Sequence, residues 1–223
     1  MGRAKSDLGI DQLGRPRKPL ITRKTAIQAA LTIIDAEGLD EFSLGHVARE
    51  LGVKPPSLYY HFADRAELLA QVARQLLIES SFSDDSTESW EDRTVELCVQ
   101  TRRSLLRHPN AAPLILRFFP RHVLLEEYEK AVRQYPDTRE QHLAILEGIE
   151  KLTFGSALFQ ASAKVRNLEP MPEIDQMKYP NLAESIAANP YDDEAMFVQA
   201  LRIFFSGVRV VAGREVTGRE KIT

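Results

Sequence analysis

Lys54, Ser57, Tyr59, Tyr60 and His61 place an ammonium, three hydroxyls and an imidazole within eight residues. These groups give hydrogen bonds to phosphate oxygens, and Ser43 upstream adds another hydroxyl. Pro55 and Pro56 lie among them, with no amide donor and apolar rings facing outward. This is a set for gripping a polyanion and reading its edges.

The elements that must position them are legible around them, in FSLGHVARELGVKPPSLYYHF, residues 42–62. Ser43 is placed to cap a short helix through an orphan amide. Leu44, Val47, Ala48 and Leu51 fall on one stripe of that helix. Gly52 follows at its end, where a left-handed backbone costs least without a Cβ. Leu58 and Phe62, four apart, anchor a second short helix. Of the neighbouring Tyr59 and Tyr60, at least one must face water. The pattern is a helix-turn-helix, whose second helix enters the major groove of double-stranded DNA from its N-terminal end. The bland alternative is a helical hairpin in any all-α domain.

From Thr22 to Leu77 the chain resembles the DNA-binding domain of the tetracycline-repressor (TetR/AcrR) family of bacterial transcription regulators. The matching blocks are Ala30 to Ser43, Val47 to Val53, Ser57 to Phe62 and Arg65 to Leu68, in family order and spacing. The resemblance implies that Ser57, Tyr59 and His61 lie at the DNA, with Tyr59 and His61 close to its backbone. It implies Lys54 at the groove entrance, Pro55 and Pro56 at base edges or thymine methyls, and Arg65 on a phosphate. Gly45 departs from the base-reading arginine of the tetracycline repressors, and Pro55 from their glutamine, so the operator should differ from theirs. Their magnesium-binding histidine corresponds to Ile115, which argues against a metal-chelated effector.

The composition is compatible with this reading. The chain has 223 residues, 43% of them hydrophobic, enough for a substantial core. The net charge of −3 is unusual for a DNA-binding protein, but the charge is unevenly placed. Arg3, Lys5, Arg15, Arg17, Lys18, Arg23 and Lys24 precede Ala26, against Asp7 and Asp11. Residues 1–21 read as a flexible basic arm. Gly14-Arg15-Pro16-Arg17-Lys18 is similar to an AT-hook core, which would put Arg15 and Arg17 in the minor groove; a solubilising tail is the equal alternative. Cys98 has no cysteine partner, which points to a reducing compartment and a cytoplasmic protein. The sequence predicts no membrane span and no signal peptide.

The expected fold is all-α: an N-terminal three-helix helix-turn-helix domain and a larger C-terminal helical domain for dimerisation and ligand. The boundaries are 1–21 for the arm, 22–80 for the DNA-binding domain and 81–223 for the effector-binding and dimerisation domain. Helices are predicted at 22–37, from Asp64 to about 80, 90–107, 111–119, 122–134, 137–164 and 190–212. Asp64 with Glu67, and Asp137 with Glu140, read as capping boxes. A short helix is expected after Asn181. The helices near 138–164 and 190–212 are expected to pair two copies of the chain, through Ala144, Gly148, Gly155, Ala157 and Ala161 with Leu152 and Leu158, and through Phe197, Leu201, Phe204, Phe205, Val208 and Val211; an internal core within one subunit is the alternative.

No catalytic signature is present: no G-x-S-x-G, Walker loop, paired cysteines or H-E-x-x-H. The histidines lack ligand spacing, so neither a metal nor another cofactor is expected. Trp90, His108, Arg117, Phe118, Phe119, His122, Phe154 and Phe159 are candidates to line a pocket for a small apolar effector, although each is also an ordinary core residue type. The leading expectation is a homodimeric repressor released from a palindromic operator by a small molecule. The alternatives are a DNA-binding regulator without an effector and a helical enzyme.

Overall fold

A computed structural model describes residues 21–78, 89–135, 139–169 and 171–219, with residues 214–219 as backbone only. The arm with Arg15 and Arg17, the acidic stretch 81–88, and Asp137 lie outside the described residues.

The first helix, α1 (Arg23–Glu37), opens on a reciprocal cap. The Thr22 hydroxyl accepts the Thr25 amide at 3.1 Å, and the Thr25 hydroxyl accepts the Thr22 amide at 3.0 Å. α2 (Leu44–Glu50) starts at Ser43, whose Oγ accepts the His46 amide at 3.1 Å. Gly52 turns the chain at φ 64°, and the Val53 amide closes the turn on the Ala48 carbonyl at 2.9 Å. α3 (Pro56–Tyr59) is a single turn, and the His61 and Phe62 amides extend it by bonding the Leu58 carbonyl, both at 2.9 Å. α4 (Arg65–Ile78) is capped by Asp64, which accepts the Glu67 amide at 2.8 Å. Glu67 reaches back one residue further than a simple capping box, to the Ala63 amide at 2.6 Å.

The C-terminal half holds α5 (Trp90–Arg107), α6 (Leu114–Arg117), α7 (Pro120–Val123), α8 (Leu125–Arg133), α9 (His142–Arg166), α10 (Pro180–Ala188) and α11 (Asp193–Arg219). The helix expected over 122–134 is broken into α7 and α8 at Leu124, whose φ of −133° leaves the helical region. The stretch 111–119 forms only the four-residue α6. α11 runs past Gly213, because one glycine costs a helix only about 1 kcal/mol and does not by itself end it.

Two buried clusters hold the molecule together. One begins in α1–α4, with Ala30, Ile34, Val47, Leu58, Phe62, Leu68 and Val72, and continues without a break into Leu105, Ala112, Leu114, Ile115 and Ala161. The other joins α5 to α11 through Val95, Cys98, Val99, Phe197, Leu201 and Phe205. Ion pairs run along this second seam: Glu91 with Arg209, Asp92 with Arg202 at 2.6 Å, Arg102 with Asp193 and Arg103 with Glu194. Low-numbered residues of α5 pair with high-numbered residues of α11, so the two helices are antiparallel. Arg102 is almost wholly buried; Ser156 accepts from its Nε at 2.9 Å, and its guanidinium lies 5.4 Å above the Phe197 ring.

The residues expected to pair two chains need correcting. Ala157, Ala161, Phe197, Leu201, Phe205 and Val208 are buried inside this one chain. Phe204 packs on Gly148, its ring 2.5 Å from where a Cβ would stand, so the small residue serves an α9–α11 contact within the chain. The large apolar groups left exposed on these helices are Leu143, Phe159 and Val165 on α9 and Met196, Ile203, Val210 and Val211 on α11. Residues 193–213 of α11 are long and apolar enough by composition to cross a membrane. Their buried stripe and their paired arginines instead seat them on α5 and α9.

Candidate nucleic-acid interface and effector cavity

α3 and its flanks stand proud of the N-terminal core. Leu58 and Phe62 are buried, while Lys54, Pro55 and Pro56 are exposed and Ser57 is half-buried. Tyr59 is 57% exposed and Tyr60 89%, so both phenols face water, one more than the spacing required. The first turn of α3 has no spare amide: Pro55 and Pro56 lack one, and the Ser57 and Leu58 amides bond the Lys54 and Pro55 carbonyls. Contacts from this tip must therefore come from side chains. Ser43 keeps its hydroxyl on the α2 cap, and a Cβ on the exposed Gly45 would meet only the Ser43 Oγ, at 3.8 Å.

Two arginines fix the angle of this head. Arg23 donates to the His61 carbonyl and to Glu67, and its guanidinium stacks 4.6 Å from the Phe62 ring centre. The Ala63 amide and Arg23 together hold the Glu67 carboxyl below its ordinary range. Arg65 faces inward: it donates to the Phe42 carbonyl at 3.2 Å and the Leu39 carbonyl at 3.1 Å, with its guanidinium 5.3 Å from the Phe42 ring centre. The expectation that Arg65 grips a phosphate does not match this placement. Two of its five N–H donors, on Nε and one terminal nitrogen, go to the loop that orients α2. Arg23 was missed as a brace because its partners lie 38 and 44 residues away.

A cavity of about 220 Å³ opens between α4, α5, α8 and α9. Leu77 and Ile78 at the end of α4, Leu97 of α5, Leu124, and Leu146, Ile149 and Phe154 of α9 give it apolar walls. Of the eight residues expected to line a pocket, Phe154 lines this one and the other seven do not. The stretch 105–123 instead packs on α1 and α4. His108 pairs with Asp35 of α1 at 2.5 Å, Phe118 rests on the first core, and Arg117, Phe119 and His122 face solvent. Trp90 stacks on Tyr135 and Phe205, and Phe159 is 81% exposed.

The polar groups of the cavity were missed. Tyr128 donates to Glu150 at 2.5 Å, and Arg121 binds both Glu150 and Glu147. Burial, then the Glu150 carboxylate, push the Tyr128 phenol up, so it stays protonated. Burial raises the Cys98 thiol to about 12, leaving it an inert wall residue. Thr153 is 3% exposed and its hydroxyl has no hydrogen-bond partner; the neighbouring Cys98 sulfur is too weak to count as one. The available signal was the polar pair Glu150 and Thr153 on the apolar face of α9 that also carries Leu146 and Ile149.

An exposed helix-turn-helix head on a helical body that encloses an apolar cavity defines a DNA-binding regulator. The family model for bacterial regulatory proteins of the tetR family matches residues 26–72, and that for the tetracyclin repressor-like C-terminal domain matches residues 82–212. The chain belongs to the tetracycline-repressor family of transcriptional regulators. It is 24% identical over 210 residues to the class D tetracycline repressor protein of Escherichia coli, covering 91% of this chain and 96% of that protein. The Streptomyces coelicolor protein ActR in complex with actinorhodin superposes with a TM-score of 0.67 at 26% identity, covering 87% of this chain and 99% of ActR. BioQ with its double-stranded DNA operator superposes with a TM-score of 0.56 at 25% identity, covering 76% of this chain and all of BioQ (100%).

Proposed function

We propose that this protein is a cytoplasmic, non-enzymatic repressor that two copies of the chain bring to a palindromic operator and that a small apolar molecule releases. In this reading residues 22–80 form the DNA-binding domain and 81–223 the effector and dimerisation domain. Lys54, Pro55, Pro56, Ser57, Tyr59, Tyr60 and His61 touch DNA. Arg65 and Ser43 position that surface from behind.

The observation that carries the reading is the run of α4. Its first residue braces the head, and its last two described residues, Leu77 and Ile78, form part of the cavity wall. A ligand that prefers a shifted α4 changes the spacing of the two heads across the dimer. A coupling of about 1–3 kcal/mol is enough to change operator affinity 5- to 150-fold. The complex of ActR with actinorhodin supports a small-molecule ligand, and the BioQ operator complex supports the DNA partner. Selection from random duplexes by the intact protein should return an inverted repeat, with half-sites about one helical turn apart or a multiple of it. A single, unrepeated consensus would defeat the dimeric reading.

A further inference from the structure

We infer that the effector of this cavity is an uncharged, mainly apolar molecule carrying one hydrogen-bonding oxygen, a carbonyl or hydroxyl, that seats on Thr153. The inference rests on the effector-responsive reading above and adds the chemistry of what enters.

A buried hydroxyl without a partner is costly, about 1–3 kcal/mol, and buried polar atoms in folded proteins are nearly always satisfied. Thr153 is one of the wall residues, and its buried hydroxyl has no partner within the described chain. The Tyr135 phenol lines the same space and makes no hydrogen bond to a described residue. Its ring is held between Trp90 at 5.4 Å and His142 at 5.5 Å. Burial keeps this phenol protonated, so it can donate to an oxygen. Cys98 lines the same wall, and its thiol is too weak a hydrogen-bonding group to offer much competition.

The charged groups of the wall are unavailable to a ligand or sit at the edge. Glu150 already accepts from Arg121 and Tyr128, and Arg121 also holds Glu147, which Lys151 reaches at 2.5 Å. Lys130 is exposed. An ion carried among Leu77, Leu146, Ile149 and Phe154 would exchange its hydration for apolar walls. A neutral oxygen on an apolar body carries no such penalty.

Three probes of one shape separate these effects: acetonaphthone, isopropenylnaphthalene and naphthoate, titrated calorimetrically into the full-length protein. The ketone and the alkene should bind and the anion should not. Thr153→Val should weaken the ketone about tenfold and leave the alkene unchanged, the size of one missing hydrogen bond. Tyr135→Phe should act in the same direction without altering the wall's shape. The inference is overturned if the ketone fails to bind, if naphthoate binds as well as the ketone, or if both substitutions leave the ketone unaffected. Failure of the regulatory reading looks different: the ketone binds with the expected dependence on Thr153, yet operator affinity does not change.

Discussion

The Arg74 guanidinium donates to the Val123 carbonyl at 2.7 Å, tying the middle of α4 to the last residue of α7. Two residues before Val123, Arg121 binds Glu150 on the cavity wall. Replacing Arg74 by Met should cost about 1–3 kcal/mol, the range for a charged hydrogen bond and the carbonyl it leaves unpaired. Combined with Arg121→Met, the two effects should be non-additive by about 0.5 kcal/mol or more. Urea denaturation of the two single variants and the double variant measures this, and strict additivity would sever the link between α7 and α4.

Arg65→Ala should behave as a stability variant. The Phe42 and Leu39 carbonyls lose their donor, which predicts about 1–3 kcal/mol of destabilisation. The slope of log affinity against log salt should stay the same, whereas removing a cation that grips phosphate would lower it by about one. Gel shifts across a salt series decide between the two.

Tyr59→Ala and Tyr60→Ala should show the opposite pattern. Both side chains face water, so stability should change by no more than about 0.5 kcal/mol. Operator affinity should fall about tenfold when a hydrogen bond to phosphate is removed. A melting temperature that drops along with affinity would place these rings in the core.

The seam between α5 and α11 sets an acid limit. Ser89, then Arg202, hold the Asp92 carboxyl below its ordinary value of 3.8. Arg103 holds Glu194 below its ordinary 4.5. Lowered folded values mean that the unfolded chain takes up protons first, so stability is present above these ordinary values and is lost as pH falls through the folded ones. The melting temperature should hold from pH 7 to about 5 and decline below about pH 4, less steeply in high salt because these groups are exposed. A decline beginning above pH 6 would point to the histidines instead.

The head was legible in the sequence because its contacts are local. Ser43, Gly52, Leu58 and Phe62 act within one or two turns of themselves, and their roles follow from spacing alone. Arg65 escaped because its partners are carbonyls in a loop 23 and 26 residues earlier. The cavity escaped for a related reason. Phe119, His122 and Phe159 have the composition of a pocket, but which side of a helix bundle faces inward is decided by packing between distant helices. Thr153 and Tyr135 carry no motif, and only the convergence of α5, α8 and α9 brings them to one space. The same packing took Phe197 and Phe205 into the chain's interior and left Phe159 and Ile203 facing solvent.

Those outward-facing side chains have a quantitative consequence. A solitary chain must wet Phe159, Ile203 and Val210, so pairing that covers them is favoured by their burial. When the protein is scarce, the species able to span both half-sites rises with the square of chain abundance. Halving expression would then cut gene silencing about fourfold. The cell would get a threshold from an oily helix face.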